Sequence, residues 1–155
     1  MEKSKVYFIK EVTPENVVRA YDALGITLGG NVAVKLHSGE LGNQNFLRPD
    51  FMKSAVNHVN GTIVECNTAY DGGRDTTERH KETMQLHGWI EIADVDIMDA
   101  EGQVELPVAG GKQLETNYVG KNLLDYDSML VLSHFKGHPM GGYGGALKNI
   151  SIGIA

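Results

Sequence analysis

Two histidines four residues apart, His134 and His138, stand just before four glycines in five residues, Gly141, Gly142, Gly144 and Gly145. Lys148 and Asn149 follow. Imidazole is suited to general acid–base work near neutral pH, and two imidazoles at this spacing could hold a divalent metal. Glycines let backbone N–H groups approach a ligand, a helix N-terminus adds partial positive charge, and a lysine adds a full one. The segment reads as a cradle for a small anion or a cofactor. Its candidate catalytic groups are His134 and His138, and its candidate cofactor-binding groups are the four glycines and Lys148. Two further candidates close apolar runs elsewhere in the chain: His37 as a third catalytic histidine and Asn67 as a binding residue.

Each of these residues also has a plainer reading. His37 could cap a strand, and the glycines could form no more than a tight turn. His58 sits among polar helical residues and reads as solvent-exposed. His80 follows Arg79 on a presumed helix and reads as a surface residue at least as readily as a functional one. His87 precedes Gly88, where a cation suits a helix end. Cys66 reads as a small buried apolar residue with a reduced thiol. The known phosphate motifs fail. Lys148 lies between Leu147 and Asn149, not in a P-loop, and the G-x-G-x-x-G spacing that starts at Gly142 meets Leu147.

The elements that must position these groups can be read from the pattern. Lys5 to Ile9 reads as a first strand. Thr13 caps a helix with Pro14 at its first position, Val17, Val18, Tyr21 and Leu24 on one face, and Gly25 at its end. Asn31 to His37 is a second strand, with Val32, Val34 and Leu36 alternating against Ala33, Lys35 and His37. Pro49 opens a helix bearing Phe51, Met52, Ala55, Val56 and Val59, and Gly61 closes it. Thr62 to Cys66 is a third strand. Thr76 or Thr77 caps a helix to about Leu86, and a short strand follows at Val95 to Met98. Val104–Val108 and Gln113–Val119, separated by Ala109 to Lys112, predict an antiparallel hairpin. Leu123, Leu124 and Tyr126 pack before a last strand, Met129 to Leu132.

Strand, helix and strand in alternation with short connections predict an α/β fold. It is a mainly parallel sheet flanked by helices, with the antiparallel hairpin inserted near residues 104–119. Ligands of such sheets bind beyond the carboxyl ends of the strands. His37, Asn67 and His134 each end a predicted strand, and neighbouring strands lie about 4.8 Å apart. They are expected to share one cleft, with the glycine loop folding His138 and Lys148 back onto it. His37, His134 and Lys148 are expected within about 10–12 Å of one another, roughly the reach of a ligand's inner and outer neighbours.

Length and composition narrow the function. The chain has 155 residues and a net charge of −6. That is enough for one domain over residues 1–155, and it lacks the basic face of a nucleic-acid binder. No apolar stretch approaches the ~18 residues of a membrane span, and no signal-peptide core is present. With a single cysteine the chain by itself can form neither a disulfide nor a four-cysteine cluster site, and a reducing cytoplasm fits best.

Taken together, His37-Ser-Gly-Glu40 with Gly42-Asn43, Asn67-Thr-Ala-Tyr70 with Gly72 and Arg74, Leu132-Ser-His-Phe-Lys-Gly-His138, and Gly142 to Asn149 occur in an order that resembles a known family. It is the uncharacterised Fe–S-centre protein family, domain of unknown function 362, and the resemblance spans nearly the whole chain. The family pattern has Asp and Thr where this chain has Glu65 and Cys66. Its members often carry a ferredoxin-like cysteine cluster past the equivalent of Ala155. The resemblance therefore implies a 4Fe–4S cluster only for a segment absent here, together with a ferredoxin-like domain or redox partner. It also implies that residues 1–155 are an incomplete family domain. More locally, His138 to Lys148, with Ile150, Gly153 and Ile154, is similar to the glycine-rich loop of the lactate racemase family. That likeness implies Lys148 as the anchor of a nickel-pincer nucleotide and His138 as acid/base.

Two classes of function stay open. One is a redox or acid–base enzyme domain that takes a small anionic molecule or cofactor at the His/Gly/Lys cleft, racemase-like chemistry included. The other is a non-catalytic binding or partner-docking domain.

Overall fold

The structure is a computed structural model and describes residues 3–154. Four short strands form a parallel sheet: β1 (Val32–Lys35), β2 (Thr62–Glu65), β3 (Val95–Ile97) and β6 (Ser128–Val131), in the order β3-β2-β1-β6. Register is continuous across it, with Lys35 opposite Val64 on one side and Val131 on the other. Helix α2 (Pro49–His58) crosses from β1 to β2, and α3 (Thr77–Leu86) with a 3₁₀ turn (Trp89–Glu91) crosses from β2 to β3. Proline at the first position of α2 and the Thr76 hydroxyl accepting from the Arg79 N–H start these helices where the chain needs them.

The alternation along β1 separates two cores. Val34 and Leu36 join Met52, Val56, Ile63, Met84, Trp89 and Ile97 under the helices. Ala33 joins Val64, Met98, Val119 and Ile154 on the opposite face. That second face is covered mainly by the antiparallel pair β4 (Gln103–Pro107) and β5 (Thr116–Gly120), assisted by Leu123 and Tyr126. All four residues of β1 are buried, as expected of a parallel strand covered on both sides. Each large aliphatic side chain so buried contributes roughly 1.5–3 kcal/mol.

Three expectations are corrected. Lys5 to Ile9 forms no strand: Val6 and Phe8 are each 88% exposed, and neither edge strand of the sheet pairs with the segment. Helix α1 (Pro14–Asp22), capped by Thr13, buries none of its residues and rests on α2 at the periphery. Leu24, placed with its apolar face, is exposed. His80 is not a surface residue but is fully buried. Ala155 lies outside the described residues. Among those residues no helix is long and apolar enough to cross a membrane.

Candidate functional site

At the carboxyl edge of the sheet the apolar strands give way to a buried polar network. Lys35, one per cent exposed, donates from Nζ to Glu65 Oε2 at 2.6 Å, to the Leu36 carbonyl at 2.7 Å and to Asn149 Oδ1 at 2.9 Å. All three of its protons are used. Glu65 Oε1 accepts from the Ser38 N–H at 2.7 Å and has Arg74 Nη1 at 3.6 Å. Burial alone would push the Glu65 carboxyl up. The Lys35 ammonium, the His37 ring and the Arg74 guanidinium outweigh it and hold the group well below the usual carboxylate range.

Arg74 connects this interior pair to the surface. It is buried, and its guanidinium makes a two-pronged ion pair with Glu40, whose Oε1 also accepts from the Tyr70 hydroxyl at 2.7 Å. Burial would raise the Glu40 carboxyl, but the Arg74 and Tyr70 hydrogen bonds bring it below its ordinary value. Ser38, one position beyond His37, meets His80 Nε2 at 3.2 Å through its hydroxyl, while its carbonyl accepts from Trp89 Nε1. Burial pushes the His80 imidazole down to about 4.

His37 and His134 lie together on this edge, their rings edge to face with centroids 6.5 Å apart. His37 is partly open, with Nδ1 turned inward, 3.4 Å from Arg74 Nη1 and 3.8 Å from Glu65 Oε1. His134 Nε2 is buried without a hydrogen-bond partner. Burial, then His37 and Lys136, hold that imidazole below its ordinary value. Asn67 stands at the end of the neighbouring strand. Its N–H is bonded to Asp99 and its amide nitrogen to Thr77, while its Oδ1 is buried and unpartnered.

The glycine-rich segment is not an open loop. It folds as a small antiparallel pair, β7 (Lys136–His138) and β8 (Gly142–Gly144), leading into α4 (Ala146–Gly153). His138 Nδ1 accepts from the Gly141 N–H, closing the turn at Gly142, whose φ of +66° suits glycine. Lys136 and Lys148 run their stems past Gly144, and both ammoniums, after the imidazole's own slight burial, hold His138 below its ordinary value. Among the described residues no hydrogen bond or ion pair joins His138 or Lys148 to His37 or His134. The link between the two groups is Asn149, one residue beyond Lys148. It accepts from Lys35 and donates to Ser133 Oγ at 2.9 Å.

Lys35, Glu65, Arg74 and Asn149 form the frame of the site, and the chemical reading of the sequence did not select them. A signal existed for two. Lys35 and Glu65 each interrupt an apolar strand near its carboxyl end, and adjacent parallel strands bring such ends together. A cleft of about 810 Å³ opens at the opposite edge among Asn31, Asn57, Asn60, Glu91, Asp94 and Asp125, and no histidine lines it.

A family model described as "Domain of unknown function (DUF362)" matches residues 32–155. The chain belongs to that family. The match begins at the first residue of β1, so the exposed N-terminal segment and α1 lie outside it. No curated protein and no solved structure matches the chain.

Proposed function

We propose that this member of the family binds a small carboxylate- or phosphate-bearing molecule at the carboxyl edge of the sheet, where His37 and His134 exchange a proton with it. The observation that carries this reading is the pair of imidazoles facing each other beyond β1 and β6, with His134 Nε2 buried and without a partner. Behind them the Lys35–Glu65 and Arg74–Glu40 pairs cancel each other's charge and hold the edge rigid. Among the described residues Lys136 and Lys148, on the adjoining hairpin and helix, form no ion pair, so an anion is the ligand favoured. The racemase-like version gives Lys148 and His138 the cofactor and proton roles. The two side chains share one segment, which supports their acting together.

An iron–sulfur cluster does not fit these residues. The chain has one cysteine, Cys66. Its thiol is pushed up to about 12, chiefly by burial, so that it resists the thiolate form a cluster needs. Redox chemistry in this reading is left to a partner domain.

Histidine ring resonances followed by NMR during titration with phosphate and with 2-hydroxy acids test the proposal. His37 and His134 signals should move saturably with at least one of these anions, and Lys148→Met should weaken that binding. Loss of the C2 proton of a 2-hydroxy acid in D₂O would identify the acid–base reaction. If neither histidine responds to any of the anions, the reading fails.

A partner-docking role has one observation in its favour. Phe135, Met140, Leu147 and Ile152, all on the hairpin and α4, are at least 66% exposed.

A further inference from the structure

We infer that Arg74 is a positioning residue that holds His37 in the Nε2-protonated tautomer, so that Nε2–H is the group His37 presents to a ligand. The inference rests on the proposed site at the carboxyl edge, but concerns a property that exists with no ligand bound.

Two groups compete for His37 Nδ1. Arg74 Nη1 lies at 3.4 Å and Glu65 Oε1 at 3.8 Å. A guanidinium offers only donors and does not lose its proton in proteins. A ring nitrogen that faces it must therefore present its lone pair. A proton on Nδ1 would point at the N–H of Arg74 and gain the more distant carboxylate oxygen, the contact through which a charged His37 helps hold Glu65 low; in the neutral ring that contact gives way to Arg74. That oxygen already accepts from the Ser38 N–H at 2.7 Å and lies within 3.6 Å of Arg74.

Arg74 itself is not free to turn away. It is buried, and Glu40 engages both its Nε and its Nη2, leaving Nη1 as the edge aimed at His37 and Glu65. The other titratable groups near the His37 ring are His134, across the edge-to-face contact, and Glu40, whose oxygens are engaged by Arg74 and Tyr70. Nδ1 is thus committed inward. Among the described residues His37 Nε2 has no hydrogen-bond partner; it is not among the buried unpartnered atoms, and with the side chain 34% exposed it is open to solvent. In a neutral imidazole with its lone pair on Nδ1, Nε2 carries the proton. In this neutral form His37 is a hydrogen-bond donor toward an anionic ligand.

Long-range ¹H–¹⁵N NMR of the ring nitrogens tests this on the ligand-free protein at a pH where His37 is neutral. The expected spectrum shows Nε2 in the protonated range and Nδ1 in the unprotonated range. Arg74→Lys should keep that pattern, because the ammonium is also donor-only. Arg74→Leu should shift the ring toward the Nδ1-protonated form, with Glu65 as acceptor. Since Arg74→Leu can fail to fold, the wild-type spectrum alone is decisive: an Nδ1-protonated His37 bonded to Glu65 overturns the inference. The anion titration of the preceding proposal has a separate readout. A correct tautomer with no anion response sinks only the binding reading, and the reverse result sinks only the role of Arg74.

Discussion

The two edges of the parallel sheet differ in kind. The amino edge holds a cleft lined by Asn31, Asn57, Asn60, Glu91, Asp94 and Asp125, with no cationic side chain among its lining residues. The carboxyl edge gathers Lys35, Glu65, Arg74, Glu40, His37 and His134 into a connected network. Charged and titratable side chains gather where the parallel strands deliver their last residues to one line, the edge at which ligands of α/β sheets commonly bind. Buried charges in that line must be paired to exist at all, and the pairing makes it rigid.

The contrast is broken most strongly at the buried ion pair. Lys35→Met should cost about 3–5 kcal/mol, because Glu65 is left buried and uncompensated. Urea denaturation should show it as a lower midpoint with an unchanged slope. Adding Glu65→Leu to Lys35→Met should recover part of the loss: an apolar pair avoids the desolvation cost but leaves the buried Ser38 N–H without its acceptor. A double variant as unstable as the single would mean that the pair contributes more than its mutual neutralisation.

Acid should separate the edges next. The His80 imidazole, beneath Ser38, sits at about 4 in the folded chain against an ordinary 6.5. Between those values the unfolded chain binds the extra proton. Stability is therefore complete above pH 6.5 and falls as the pH drops toward 4, by about 3 kcal/mol. His134, also held low, acts in the same direction. Glu65 and Glu40 are held below their ordinary values and add their losses only below about pH 4.5. His80→Gln should flatten the profile between pH 4 and 6.5 while leaving the lower limb. An unchanged profile would place the acid sensitivity elsewhere.

A close approach gives a smaller effect. A Cβ on Gly153 would sit 2.8 Å from Lys35 Nζ. Gly153→Ala should cost about 1–3 kcal/mol by displacing the ammonium or α4, and thermal unfolding would register it. At the amino edge, Asp94→Asn touches an exposed, unpaired side chain. It should stay within about 0.5 kcal/mol of wild type and leave the His37 and His134 resonances unmoved. A larger change there would erase the distinction between the edges.

Much of this arrangement was legible before any coordinates. The period-2 pattern of Asn31 to His37, the apolar run Thr62 to Cys66 and the helix between them require a parallel pair, because the connection is too long for a hairpin and carries its own apolar face. The same logic placed His37 and His134 at one end of the sheet, where they meet, and put β4 and β5 in an antiparallel pair. Lys5 to Ile9 misled for a related reason. Composition favours a strand, but a strand forms only where it docks on a sheet edge, and this segment pairs with neither β3 nor β6 although each has an open side.

What the sequence by itself determined is the alternation of elements and therefore the shared destination of the strand ends. Local pattern carries that information, since burial and hydrogen bonding within one strand or helix depend on near neighbours. Only the tertiary structure decided which side chains face which at that destination. Glu40 and Arg74 lie in separate loops, Asn149 reaches Lys35 across most of the chain, and His80 turns inward from a helix whose pattern looks polar. Charge pairing over such separations leaves no periodic trace. It depends on register, crossover and rotamer together, and those exist only once the sheet has closed on both of its cores.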